Sequence, residues 1–261
     1  AVITNTYNGA GDVTPDELSS ISLLGDHTKI ITPFQEEAFV EGFGKFIEPY
    51  YSLASYGGTV NVNVKDQVAQ NGKVEIVGNV ISMKRSSGTY TPDVYQDGRI
   101  NIGLTTGDSY WKGLIDNANL AQTSPTEKDK YGHPKYDPAI PPVDADHSGE
   151  VNLWLQNGAQ WIYENASRKD GLDYKHMPEY SQSSYGSYDG MSHLSRLVGG
   201  KDSASAGIIR VKDNDPIQIA EAEGVTKVWY EHADAAPGTI IGGDVKVLTA
   251  KTGTEMMLYT G

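Results

Sequence analysis

The chain has 261 residues, with 34 acidic side chains against 21 basic ones and a net charge of −13. This balance argues against binding to the phosphate backbone of nucleic acids, because such binding depends on Lys and Arg replacing counterions. No apolar run approaches the roughly 18 residues that a membrane span requires. We therefore expect a folded protein whose partners are neither nucleic acid nor membrane.

Cysteine is absent from the chain. Its absence excludes disulfides, thiolate metal sites and cysteine nucleophiles. The first twenty residues contain neither a basic region nor an apolar run, so no signal peptide is visible.

The N-terminal part of the chain predicts an extended arm followed by a helix. Residues 1–33 are polar and rich in Gly and Thr, which is typical of an arm. Residues 34–53 predict a helix, because Phe39, Phe43 and Phe46 recur at steps of three and four. This helix opens the expected main body, which extends over residues 34–173.

From Thr59 the apolar period changes to two, which predicts strands joined by hairpins. The dipeptide Asn71-Gly72 predicts a hairpin loop that pairs Val68 with Val74. A short helix is expected over residues 109–122. No repeat of 20–50 residues is visible, so we expect neither a solenoid nor a propeller.

The rest of the chain is predicted to alternate between long loops and strands. Residues 123–149 are rich in Pro, and residues 174–206 are rich in Tyr, Ser and Gly, so both predict long loops. Residues 207–261 predict a small C-terminal β-module. The expected fold is therefore mainly β, at the margin of α+β, with a hairpin-built, β-sandwich-like body and a few short helices. The strands expected in the C-terminal module are Ile208–Val211, Val225–Tyr230, Val245–Leu248 and Met256–Tyr259.

One segment, DADHSGEVNLWL at residues 144–155, places oxygen-bearing side chains at alternate positions around a glycine. It resembles the calcium loop of EF-hand and dockerin-type sequences, in which the chain curls around a hard cation and needs Gly at the bend. Leu155 stands where that family has a bidentate acid, so a site would borrow a carboxylate from elsewhere. The alternative interpretation is an acidic turn that leads into a strand. No cofactor other than Ca²⁺ is indicated, and its candidate ligands are Asp144, Asp146, Ser148, Glu150 and Asn152.

The segment that follows predicts a two-strand hairpin, VNLWLQ-NG-AQWIYE, with Asn157-Gly158 as a type I′ turn. In this register Trp154 lies opposite Trp161, and one face of the hairpin is aromatic with amide side chains around it. Three interpretations remain open: a buried Trp pair in a second core layer, a flat contact patch for a partner chain, and a stacking platform for a sugar ring. The side chains of this face are Trp154, Trp161, Tyr163, Asn152 and Gln156.

No catalytic motif is present in the sequence. The six His have no HxxxH or HxH spacing, and there is no GxSxG, GxxxxGK(S/T) or GxGxxG. Paired carboxylates for glycoside hydrolysis stay open, because their separation is a spatial quantity. We therefore expect a protein that is not an enzyme.

The last feature of the sequence, its high Tyr content, concerns the binding partners of the protein. Tyr outnumbers Phe by 16 to 4, and Tyr suits interfaces because it covers a large area and still hydrogen-bonds at its edge. With the arm and the long loops, this favours a structural subunit of a repeated assembly. We expect a virion component, such as a phage head, decoration, fibre or tail protein, or an extracellular filament. Its partners would be copies of itself and other structural subunits. The alternative is a carbohydrate-binding protein or glycan-active enzyme that uses the Trp/Tyr face beside the calcium-like loop.

Overall fold

The computed structural model describes the chain in separate ranges, and within them it consists of strands and turns, with no helix. Among these residues no helix could therefore span a membrane. The ranges are 2–4, 19–32, 37–40, 44–47, 51–82, 84–86, 95–115, 149–164, 181–182, 191–212, 215–231 and 243–260. The strands are β1 Val2–Thr4, β2 Ser20–Leu23, β3 His27–Ile31, β4 Glu37–Val40, β5 Gly44–Ile47, β6 Tyr51–Ser55, β7 Gly58–Val62, β8 Val64–Lys65, β9 Val68–Ala69, β10 Lys73–Val77, β11 Asn79–Ser82, β12 Lys84–Ser86, β13 Tyr95–Leu104, β14 Tyr110–Lys112, β15 Glu150–Leu155, β16 Gln160–Tyr163, β17 Ser181–Gln182, β18 Ser192–Val198, β19 Gly207–Val211, β20 Ile217–Glu223, β21 Val225–Tyr230, β22 Val245–Ala250 and β23 Glu255–Thr260.

Two long sheets carry the architecture, and the chain visits them alternately. Sheet 1 has the order β2-β7-β13-β15-β18-β20-β22, with β12 paired to β13, and sheet 2 has the order β3-β10-β14-β16-β19-β21-β23. The strands along each path follow chain order and pair in parallel. A third parallel sheet, β1-β6-β11, accompanies the first coils. Each coil therefore adds one strand to each long sheet, and the stacked coils form a parallel β-solenoid.

One hydrophobic core runs through the stacked coils. Val60, Ile100 and Val151 lie in register on neighbouring strands of sheet 1, and all three are buried. Val74 and Ile76 enter the same core from sheet 2. Because successive side chains of a strand point to opposite faces, the apolar residues at alternate positions fill the inside of the solenoid. The residues between them face outward.

A pair of tryptophans occupies the core side of sheet 2. Trp111 and Trp161 are in register on neighbouring strands, and their rings stack with centroids 4.9 Å apart and planes 3° apart. Both indoles are fully buried. Each N–H donates to a glycine carbonyl of the preceding coil, Trp111 Nε1 to Gly78 O at 3.0 Å and Trp161 Nε1 to Gly113 O at 3.1 Å. The same contact therefore repeats from one coil to the next, and it satisfies the indole donors that burial would otherwise leave unpaired.

The corner that follows β14 requires a glycine. A Cβ on Gly113 would lie 2.2 Å from the carbonyl oxygen of Gly78 and 2.8 Å from Nε1 of Trp111. Only a residue without a side chain lets the two corners approach closely enough for the indole hydrogen bonds to form.

The prediction of a mainly β fold is confirmed. All four strands expected in residues 207–261 are present, as β19, β21, β22 and β23. A fifth strand, β20, lies between them. These strands continue both long sheets, and β2 and β3, within the predicted arm, are the first strands of those sheets.

The helix predicted over residues 34–53 is wrong in the part that the structure describes. Residues 37–40 and 44–47 are β4 and β5, which form an antiparallel pair, and Tyr51–Ser55 is β6. The expected helix over 109–122 is likewise replaced by β14 at its start. Phe39 and Phe46 thus lie on strands, so the spacing that predicted a helix does not mark one face of a helix.

The predicted hairpins are wrong because the strands pair with other coils instead of with each other. After Asn71-Gly72, β10 pairs in parallel with β3 and β14, and Val68 pairs with Lys65. After Asn157-Gly158, β16 enters sheet 2 while β15 stays in sheet 1. The expectation that the chain is no solenoid is therefore also wrong, and the body is not a hairpin-built sandwich.

The Asn157-Gly158 turn itself is present. Both residues have positive φ, 54° and 79°, as a type I′ turn requires, and Ala159 N donates to Gln156 O at 3.0 Å. The Asn157 amide also donates to Thr105 O of the preceding coil at 2.9 Å. The turn thus forms a corner between the two sheets that is fixed to its neighbouring coil.

Replacing Trp161 with Ala should lower the free energy of unfolding by about 3–5 kcal/mol, as for other large-to-small core changes. The change leaves a cavity against Trp111 and removes the donor to Gly113 O. Trp229→Ala is the matched control, because Trp229 is 40% exposed, and it should cost about 1 kcal/mol or less. Urea denaturation followed by circular dichroism measures both, and equal losses would contradict the buried stack.

Candidate functional surfaces

The five side chains predicted to share one face are divided between the outside and the core. Asn152 and Trp154 lie on the outer side of sheet 1, since Val151, Leu153 and Leu155 of the same strand face the core. Trp161 and Tyr163 are fully buried in the core on sheet 2. Gln156 lies in the corner and donates to Gly199 O at 2.9 Å. The structure therefore brings Asn152 and Trp154 together and places Trp161 and Tyr163 elsewhere.

Trp154 is nearly covered even though it lies on the outer side. Only 6% of the residue is exposed, and the guanidinium carbon of Arg196 lies 5.9 Å from its ring centroid. This is the distance range of a cation–π contact. The indole of Trp154 thus packs against the guanidinium group of Arg196, which lies on the next coil.

Arg196 belongs to a network of four charges on the outer side of sheet 1. Its Nη2 lies 2.6 Å from Glu223 Oε1, and its Nε lies 3.7 Å from Glu221. Lys251 contacts the same two carboxylates at 2.7 and 3.3 Å. Burial raises the pKa of Glu223, but the hydrogen bonds and charges of Arg196 and Lys251 outweigh it, so this pKa lies below its ordinary value. The network links three successive coils, because Arg196 lies on β18, both carboxylates lie on β20 and Lys251 directly follows β22.

A ladder of side-chain amides runs along the same outer face. The amide nitrogen of Asn152 donates to Oδ1 of Asn101 at 3.0 Å, and that of Asn101 donates to Oδ1 of Asn61 at 2.8 Å. Asn61 in turn donates to the hydroxyl of Ser22 at 3.1 Å. In-register stacking of identical amides gives each group a partner in the coil above or below. Asn152, proposed from the sequence as a metal or glycan ligand, thus has its amide nitrogen engaged within the fold.

The structure describes only two of the five candidate calcium ligands, Glu150 and Asn152. Asp144, Asp146 and Ser148 lie outside the described residues. Glu150 forms an ion pair with Arg99, with Oε2 2.6 Å from Arg99 Nε. Across the described ranges no three His, Asp or Glu side chains are grouped as metal ligands would be. The calcium site therefore stays a prediction.

The most exposed aromatic group that the structure describes lies on the outer side of sheet 2. Trp229 is 40% exposed and stacks on Tyr259, with ring centroids 5.4 Å apart and planes 29° apart. In register on the preceding coils are Arg210 and Ile162. Together with Lys227, two residues before Trp229 on the same strand face, these side chains make up the Trp229 patch.

A chain of ion pairs borders the Trp229 patch. Glu231 pairs with Arg210 and with Lys212, whose Nζ lies 3.2 Å from Oε2. Glu164 then joins Lys212 to Lys112, at 4.0 and 3.4 Å. Arg210 also donates to Gln160 Oε1 at 3.1 Å. These contacts hold the guanidinium beside the indole in a fixed position.

Sequence reasoning did not identify the Trp229 patch, although the sequence contains a signal for it. In VTKVWY, residues 225–230, the alternation places Thr226, Val228 and Tyr230 on the buried face. Lys227 and Trp229 must then lie on the opposite face. The exposed Trp could have been read from this strand, but its stacking on Tyr259 depends on which strand comes next in the sheet.

Glu223→Gln should lower stability at neutral pH by about 1 kcal/mol or less, the usual scale for partly exposed ion pairs. Because the folded pKa of Glu223 is lowered, this contribution is present above the unfolded pKa of about 4.3 and disappears as the pH falls through the folded value. Thermal unfolding of both proteins at pH 7 and near pH 3 measures the difference. A gap that stays constant over this range would contradict the assigned cause of the shift.

Comparison with known proteins gives no match: no family model, no curated protein and no solved structure is detectably similar to this chain. The functional conclusion therefore depends on the fold and the surfaces alone.

Proposed function

We propose that the protein is a structural subunit of an extracellular or virion assembly, in which a stiff solenoid presents its outer faces to other molecules. The continuous core is the observation that carries this proposal. Each of the two long sheets uses seven strands in chain order to enclose it.

A solenoid of this kind suits a scaffold because of how its coils are joined. Each coil contacts mainly its neighbours, so the structure behaves as a rod whose length grows with coil number. With strands about 4.8 Å apart, seven stacked strands extend over roughly 30 Å. The outer faces are regular surfaces along that length.

The outer polar groups also favour a structural role over catalysis. The carboxylates of Glu221 and Glu223 are engaged by Arg196 and Lys251. Those of Glu164 and Glu231 are engaged by cations of sheet 2. A general acid or base needs a proton-transfer partner within reach, whereas these groups join one coil to the next.

The mass of the native particle tests the proposal. Size exclusion with light scattering, over a range of concentrations, should give a multiple of the chain mass, and negative-stain images should show a defined oligomer or filament. A monomer at every concentration, in the presence and absence of salt, would contradict self-assembly.

Single Lys substitutions at exposed apolar positions locate the contact between copies. Ile31, Val68 and Leu258 are suitable, because more than half of each residue is exposed. A charge at the position in contact should reduce the particle mass, since an apolar contact cannot accommodate an unpaired charge. Lys29→Gln, on the same strand as Ile31, is the matched control and should leave the mass unchanged.

A further inference from the structure

We infer that the Trp229 patch binds an oligosaccharide carrying a carboxylate, such as a uronic-acid glycan, with one sugar ring stacked on Trp229 and its carboxylate at Lys227. This inference goes beyond the structural role and is independent of the oligomeric state. It depends on the position, rigidity, size and charge of the patch.

The position of the ring shows that the core does not require it. Val228 and Tyr230 on either side of Trp229 are buried, while Trp229 points away from the core and remains 40% exposed. The two tryptophans of the core, Trp111 and Trp161, are by contrast fully buried. The indole therefore offers an apolar face to a ligand from solution.

The patch is held rigid by its neighbours. The strand that carries Trp229 is paired on both sides, to β19 and β23, through six registered positions on the β23 side. Tyr259 packs against the indole, and the Arg210–Glu231 pair lies next to it. A preorganised surface loses little conformational entropy on binding, which favours a small ligand.

The size of the patch fits one or two sugar rings better than a protein. Each aromatic side chain can cover about 150–250 Å², whereas a stable protein interface buries roughly 1,200–2,000 Å² in total. The apolar C–H face of a pyranose ring matches an exposed indole. Its hydroxyl groups can bond to Arg210 and Glu231, which supply both donors and acceptors.

The charge around the patch indicates an acidic sugar. In the described part of sheet 2, four cations border or lie in this region, Lys112, Arg210, Lys212 and Lys227, against the three carboxylates Glu164, Glu231 and Glu255. This local excess of positive charge stands out on a chain of net charge −13. A small ligand with isolated carboxylates can use it, whereas an extended polyanion would also meet the acidic remainder.

Lys227 is the cation that a ligand can reach. Within the described ranges no ion pair involves Lys227, unlike Arg210 and Lys212. It precedes Trp229 by two residues on the same strand face, so the two Cα atoms are about 6–7 Å apart. A carboxylate at the edge of a ring stacked on Trp229 therefore lies within reach of the ammonium group.

Isothermal titration with trigalacturonate and with its methyl ester tests the inference, because the two probes differ in charge and share the ring system. We expect trigalacturonate to bind and the ester to bind several-fold more weakly. Trp229→Ala should weaken binding of trigalacturonate by about tenfold, the scale of losing one ring-stacking contact. Lys227→Gln should weaken trigalacturonate and leave the ester unchanged.

Two controls separate binding from folding and from assembly. Lys246→Gln removes the same charge from an exposed position on β22 of sheet 1 and should leave affinity unchanged, and all variants should be fully folded under the conditions of the titration. Equal binding of both probes, no binding at millimolar concentration, or no effect of Trp229→Ala would overturn the inference. So would a Trp229→Ala variant that only dissociates an oligomer, since the patch would then be a contact between copies.

Discussion

Parallel, in-register pairing between successive coils is the constraint on which the rest of the structure depends. Once each strand is aligned with the strand of the preceding coil, a side chain on one coil lies above the equivalent side chain on the next, about 4.8 Å away. Trp111 and Trp161 show the result most directly, with parallel rings 4.9 Å apart and equivalent hydrogen bonds to Gly78 and Gly113. The core is therefore a set of stacks along the solenoid axis, and each stack is as long as the sheet that carries it.

The same alignment organises the outside. On sheet 1 it joins Asn61, Asn101 and Asn152 into an amide ladder and then, on later coils, links Arg196 to the carboxylates of β20. On sheet 2 the outward row changes from Lys112 through Ile162 and Arg210 to Trp229 and Tyr259. Most of these outward groups use one another as partners. The Trp229 patch differs because its indole is 40% exposed and, among the described residues, the Lys227 ammonium has no ion-pair partner.

The sequence predicted part of this well, for physical reasons. Alternation with period two identified the strands of residues 207–261, because a half-buried strand must alternate whatever it pairs with. Asn157-Gly158 predicted a turn with positive φ, because that conformation is a local property of the two residues. The prediction was wrong about the strand with which the next strand pairs. A local turn does not specify whether the strand after it pairs with the strand before it or enters another sheet. For the same reason Trp154 and Trp161, predicted to face each other, lie on different sheets.

The repeat was hidden by the unequal lengths of the coils. Side chains that touch across one coil are 39, 40 and 51 residues apart along the amide ladder, and 28 apart between Lys251 and Glu223. No fixed period can reveal such a repeat, since segments of different length are inserted between strands whose pairing stays constant. The sequence by itself determined that the chain is mainly β, where several strands and turns lie, and which residues alternate. Only the tertiary structure decided which strands pair, and with it which aromatic side chains stack on one another, because pairing joins residues that no local pattern relates.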